Sequence, residues 1–315
     1  MMLGEESESA EYWKKCGDEA LANGIKGVIM MVSQLFITLP LKLEQTAPLT
    51  RAKLRSKASA YISRLQGAHW DANGDKIEVA TNPKPGKSPV AYVHPDKYIH
   101  YKLNPDLLTA KRCAEILSSE GFNVRGNDSF DWIHDTYLIL IRMFPNGCPP
   151  TTIISMNARF DPHFHMKVGS SLRQLRKEGY LLIGTGGAVH NLYRNRWGPM
   201  LQYSDNFAQE TPPEAWALEF RQAVEDVISN NSGPNLRRAM TRLMKHPQYR
   251  DAHATDDHFM AAMFVAGAAG DEEDSGVCGK LYAETWELTN MLVVKLSLGK
   301  PRILTNLTGA TPNSQ

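Results

Sequence analysis

The run Tyr180-Leu181-Leu182-Ile183-Gly184-Thr185-Gly186-Gly187-Ala188-Val189-His190-Asn191-Leu192 decides the fold. Tyr180 to Ile183 is an uncharged, bulky stretch that reads as a buried strand. The glycines then end it in a tight turn. A strand running into a Gly-rich turn suggests a phosphate cradle. The dinucleotide pattern, however, needs a third glycine where Val189 stands, and no Lys-Ser/Thr follows as in a P-loop. What remains is a strand end that delivers His190 to the rim where open α/β sheets place their sites. Taken alone, His190 is as readily a satisfied structural histidine.

Working outward, His165 to Glu178 reads as an amphipathic helix, with Leu172 and Leu175 on its core face and Gly179 at its end. Further helices are expected at 11–23, 106–120, Asp131 to Met143, 214–230 and Thr255 to Ala266. Strands are expected at Lys26 to Met31, Lys76 to Ala80 and Pro149 to Met156. Residues 82–106, rich in Pro, Tyr and His, read as an ordered loop, and Asp271 to Asp274 as a solvated acidic one. Helices alternating with apolar strands predict an α/β fold with a mostly parallel sheet covered on both faces. One domain is expected over 1–297, with a polar tail over 298–315. No internal repeat is present.

The chain has 315 residues, a net charge of +1 and 22% charged residues. Near-neutral charge offers no electrostatic attraction for nucleic acid or an acidic membrane surface. No apolar run reaches the ~20 residues of a membrane span. The acidic stretch Met1 to Tyr12 is unlike a secretory or transit peptide. Cys16, Cys113, Cys148 and Cys278 are scattered without a CxxC pair, as expected of reduced thiols in a cytoplasmic protein.

Residues 32–66 change character. Lys42, Arg51, Lys53, Arg55, Lys57 and Arg64 stand against one acid, Glu44, with Pro40 and Pro48 and no periodicity. The stretch reads as a basic insertion. Without it, Gly27-Val28-Ile29-Met30-Met31 joins Gly67-Ala68-His69-Trp70, a buried strand delivering His69 at its carboxyl end. Two strands ending in histidine suit a metal site, because neutral imidazole ligates iron and zinc. His258 follows Thr255, a plausible helix cap. That places it in the first helical turn, where the helix dipole favours the neutral ring; an ordinary surface helix start fits as well. His253 shares no helical face with His258. His134 opens a helix, as an acid/base group or as loop structure. For His94, His100, His163, His165 and Tyr98 a structural role is favoured, and His246, before a proline, is expected to be exposed.

Several motifs in order give the chain a family resemblance. They are Ala68-His69-Trp70; Phe130-Asp131 with His134 ahead of Leu140-Ile141-Arg142-Met143-Phe144-Pro145; Leu175-Arg176-Lys177-Glu178-Gly179 running into the Gly-rich turn and His190-Asn191-Leu192; and Asp257-His258-Phe259 with Ala266-Gly267-Ala268-Ala269-Gly270. Across most of 9–31 and 67–297 the chain resembles the LigB-like class III extradiol dioxygenases, within them the DOPA-dioxygenase branch in its fungal form. The resemblance implies a three-layer αβα sandwich with one metal site, holding Fe(II) in active enzymes and often Zn(II) in isolated protein. It implies His69 and His258 as metal ligands, His190 as acid/base or further ligand, and His134 beside the substrate. The partners it implies are a catechol-type diol and O2; no nucleic acid and no membrane are expected, and the chain itself is expected to be a monomer or small homo-oligomer.

Two departures stand out. The family's first ligand, a His-Gly after its first strand, has no counterpart, since His69 is the first histidine of the chain. The 32–66 insertion separates a strand from its ligand. Val32 and Gln66 have codons that allow splice-donor GT and splice-acceptor AG, so a translated intron and a start placed too far downstream are the expectation. A transcript that retains the insert and lacks an upstream His-Gly would refute it. The alternative to an enzyme is a non-catalytic binding or scaffold protein on the same fold. A zinc hydrolase is disfavoured for want of HExxH.

Overall fold

A computed structural model describes residues 8–32, 70–90, 93–195, 212–282, 284, 286, 287, 290 and 291. His69, the expected insertion beyond Val32 and the 298–315 tail lie outside these residues.

The sheet is built around β1 (Gly27–Val32), whose six residues are all buried. It lies between β5 (Thr151–Ile154) and β7 (Tyr180–Thr185), parallel to both. Val28 pairs with Thr151 on one side and Leu181 on the other. Two further strands, β3 (Lys76–Ala80) and β4 (Asn123–Asn127), pair in parallel with each other, giving the order β4-β3-β5-β1-β7. β3 meets β5 antiparallel at Val79 and Ile154, so the sheet is mixed but mostly parallel. A short pair, β2 (Asp71–Ala72) with β6 (Met156–Asn157), flanks it.

Alternation along β1 builds the layers, because successive side chains of a strand point to opposite faces. Ile29 and Met31 enter one core, with α2 (Leu107–Ser119), α4 (Pro162–Leu172), α6 (Ala215–Asn230), α7 (Gly233–Leu243) and α9 (Asp257–Ala269). Val28, Met30 and Val32 enter the other, with α1 (Glu8–Ala22) and α3 (His134–Met143). The expected α/β architecture, helices on both faces of a mostly parallel sheet, is therefore present.

Several boundaries differ from expectation. Val32, assigned to the insertion, is the last residue of β1 and pairs with Thr185. The third helix starts at His134 rather than Asp131. Asp131 instead accepts the Gly86 N–H at 2.7 Å, tying the loop after β3 to this approach. The helix expected from His165 starts at Pro162, where Asp161 caps the Phe164 N–H, and breaks at Arg173 before a short turn, α5 (Gln174–Lys177). The last long helix has Asp256 rather than Thr255 at its N-cap position, without a side-chain capping bond, and runs three residues past Ala266. The acidic stretch at 271–274 is a capped 3-10 turn with Asp274 buried beside Arg176. Two of the longer elements went unread, β4 and α7, as did the short β2 and the turn of helix at Tyr249–Ala252. β4 is a polar edge strand with no buried residue, so it shows no apolar alternation.

Candidate active site

The Gly-rich turn after β7 presses against the start of α9. A Cβ on Gly186 would lie 2.4 Å from the His258 carbonyl oxygen, and one on Gly184 2.3 Å from that of Ala261. Only glycine allows this approach. It brings the Gly187 N–H to His258 Nδ1 at 2.9 Å. The turn is also clamped to α8 (Tyr249–Ala252) and the residue after it. His190 N–H donates to the Ala252 carbonyl at 2.8 Å, and Asn191 Nδ2 to that of Asp251 at 2.7 Å. His253 Nε2 donates to the Ala188 carbonyl at 2.9 Å.

These anchors stack His190 on His258, with ring centroids 3.5 Å apart and planes within 5°. Both rings are buried, as is His134 at the start of α3. His134 adjoins Asp135, which feels the charge of Asp257, so the starts of α3 and α9 share one polar cluster. The sequence reading missed both carboxylates, although each directly adjoins a flagged histidine at a helix start. Burial, then His258, holds His190 well below the ordinary histidine range. Burial pushes His134 down to about 3. Burial, then Asp257, raises Asp135 far above the usual carboxylate range. Burial thus favours the uncharged forms of His134, His190 and Asp135, as expected where water does not reach to solvate ions. His190 Nε2, Thr185 Oγ1 and Asp257 Oδ2 are buried without a hydrogen-bond partner.

Of the remaining described histidines, His165 has a structural role. His165 Nε2 accepts the Asn157 N–H at 3.1 Å, and its Nδ1 lies 2.7 Å from the Asp161 carbonyl. His94, His100 and His163 are exposed. His246 is half-buried with its ring against Phe220, not exposed as expected, because the turn after α7 folds back on α6. Trp70, directly after His69, stacks on Phe130 with centroids 3.8 Å apart.

Do these donors suit the metal that the resemblance implies? A ring nitrogen's lone pair lies in the ring plane. The lone pairs of two stacked rings therefore run side by side and do not meet at one ion. His258 Nδ1 accepts an N–H, so its neutral ring carries the proton on Nε2, and a coordinating nitrogen carries none. Among the described residues, no three His, Cys, Asp or Glu side chains are grouped to hold a metal. As they stand, His190 and His258 do not fit as joint ligands of a resident ion.

No family profile matches the chain. It is similar to the 4,5-DOPA dioxygenase extradiol of Escherichia coli, 23% identical over 210 residues covering 65% of this chain and 72% of the relative. The Beta vulgaris protein of the same name is 28% identical, over 58% of this chain and 62% of the relative. A 4,5-DOPA dioxygenase extradiol-like protein of Schizosaccharomyces pombe is 27% identical over 76% of each chain. The matched segment thus spans less than two thirds of the beet protein's length. The fold is that of an uncharacterised Escherichia coli K12 protein of known crystal structure, with a TM-score of 0.62 over 90% of each chain at 18% identity. These relatives support the extradiol dioxygenase family and, through their names, an oxygenase-type enzyme. No helix among the described residues is long and apolar enough to cross a membrane.

Proposed function

We propose that this chain is an extradiol ring-opening dioxygenase acting on a catechol-type diol with O2. The observation that carries the reading is the cluster at the carboxyl end of β7, where His190, His258 and His134 are buried and a nitrogen of His190 has no partner. The names of the relatives point the same way. In this reading His190 is the proton acceptor. Its neutral ring takes a hydroxyl proton of the diol at Nε2 and returns it after ring opening, work for which a positioned base supplies about 10²–10⁴-fold. The clamp through Ala252 and Asp251 holds the ring in place. In this reading His134 stands beside the substrate, and His69 and His258 belong to the metal side once the His258 ring turns off His190 and frees its Nδ1 from the Gly187 N–H. Fe(II) is the metal this reading calls for, with Zn(II) a substitute in isolated protein, in a cytoplasmic monomer or small homo-oligomer.

The stacked pair gives a second reading specific support. If His190 and His258 stay stacked, the chain is a binding protein on an enzyme's fold. Anaerobic loading with Fe(II), followed by oxygen uptake with a panel of catechols, separates the two. The enzyme reading expects near-stoichiometric iron, uptake with at least one catechol, and a loss of about 10² or more in His190→Asn at unchanged iron content. His258→Ala should reduce the iron content itself. Full iron without uptake, or no iron at all, overturns the enzyme reading.

A further inference from the structure

Away from this cluster, the stretch Gly233 to Gln248 carries four Lys/Arg residues, Arg237, Arg238, Arg242 and Lys245, and no Asp or Glu, in a chain of net charge +1. α7 buries Leu236, Met240 and Leu243 on one side. Arg238, Thr241, Arg242 and Lys245 follow one another at i, i+3, i+4 and i+7 along the helix and the turn beyond it, so they share the opposite face. Like charges at such spacings destabilise a helix, and an anion seated between them would relieve that repulsion. Arg237 is engaged elsewhere, beside Gly270 and Asp271. Arg242 and Lys245 form no ion pair among the described residues.

Both side chains line a cavity of about 270 Å³ together with Thr241, Met244, Pro162 and His163. No carboxylate lines it. Asp161, the acid nearest in sequence, is committed as a helix cap to the Phe164 N–H at 2.7 Å. Arg242 supplies a planar fork of donors and Lys245 a compact ammonium, the pairing that suits phosphate oxygens. Met244 and Pro162 add apolar surface for a small organic group. We propose that this cavity binds a phosphate monoester, with the phosphate held between Arg242 and Lys245. The proposal is independent of the dioxygenase reading.

Calorimetric titration of the full chain at low ionic strength tests it, with inorganic phosphate, glucose 6-phosphate and phosphatidic-acid vesicles as probes. Both soluble phosphates are expected to bind, glucose 6-phosphate the more tightly, and affinity should fall as salt is added. R242E/K245E should weaken binding by at least about tenfold. K97E/K102E, the same charge change on exposed lysines elsewhere, should leave it within about twofold. Should charge reversal disturb α7, R242Q/K245Q gives the same comparison. The proposal fails if neither soluble phosphate binds at about 10 mM. It also fails if both double variants lose affinity equally, or if only the vesicles bind.

Discussion

Gly186 has no room for a side chain. The obstacle 2.4 Å from its would-be Cβ is a backbone carbonyl of α9, which cannot step aside as a side chain can. Gly186→Ala should therefore push the turn off the helix, cost about 1–3 kcal/mol as overpacking does, and lower Tm by about 2–4 °C per kcal/mol. It should also break the Gly187 N–H bond to His258 Nδ1 and so shift the His258 imidazole signals in a nitrogen-detected NMR spectrum. An unchanged Tm with unchanged signals would show that the turn does not bear on the ring. The glycines were legible in the sequence as a turn. Their partner was not, because α9 lies some seventy residues further on and only folding brings it there. The same limit hid Asp135 and Asp257. Each was visible as a residue beside a histidine, and only folding buries Asp257 and brings its charge to bear on Asp135.

At the scale of elements, α4 and α9 approach so closely that their backbones touch. A Cβ on Gly169 would lie 1.9 Å from the Phe264 carbonyl oxygen, and one on Gly267 2.0 Å from that of Met166. Gly169→Ala and Gly267→Ala should each cost about 3 kcal/mol, at the upper end of overpacking. The double variant should cost less than the sum, because the first alanine already separates the helices and makes room for the second. Strict additivity in urea unfolding would mean that the two contacts are independent. Phe264→Ala, in the same helix but fully buried, should cost about 3–5 kcal/mol through the cavity it leaves. Most elements were legible from periodicity, β1 and β7 above all. α9 differs because eleven of its thirteen residues are apolar or glycine and nearly all are buried, so its ends carry little pattern. β4 was missed for the opposite reason, since an edge strand facing water shows no apolar alternation.

For the whole molecule, the buried histidines set the response to pH. Burial pushes His165 and His253 down to about 4 and His134 to about 3, and holds His190 well below its ordinary value of 6.5. Below pH 6.5 the unfolded chain binds protons that the folded chain refuses. Stability is therefore full above about 6.5 and is lost as the pH falls towards the folded values. Asp135, raised by burial, works in the opposite sense and loses stability as the pH rises above 3.8. Four histidines outweigh one carboxylate, so unfolding free energy should fall by about 3–5 kcal/mol between pH 7.5 and 5.5. Urea titrations at the two pH values check this. A midpoint that is flat, or that rises on acidification, would show that the cluster is hydrated or already protonated.

The sequence by itself determined the architecture. The run Val28 to Met31 can be buried on both faces only as an inner strand under two layers of helices, whereas Tyr180 to Ile183, read the same way, lies at the end of the described sheet with Tyr180, Leu181 and Leu182 half-buried. It also determined that His134 and His258 stand at helix starts and that His190 follows the turn after β7. Only the tertiary structure decided what those histidines do to one another. Whether two rings converge on an ion or stack depends on angles and separations set by packing between distant segments. Here the glycine turn, the Ala252 clamp and the start of α9 bring His190 and His258 face to face. A one-dimensional pattern records the residue types and their spacing along the chain, and it holds no information on the direction of a lone pair.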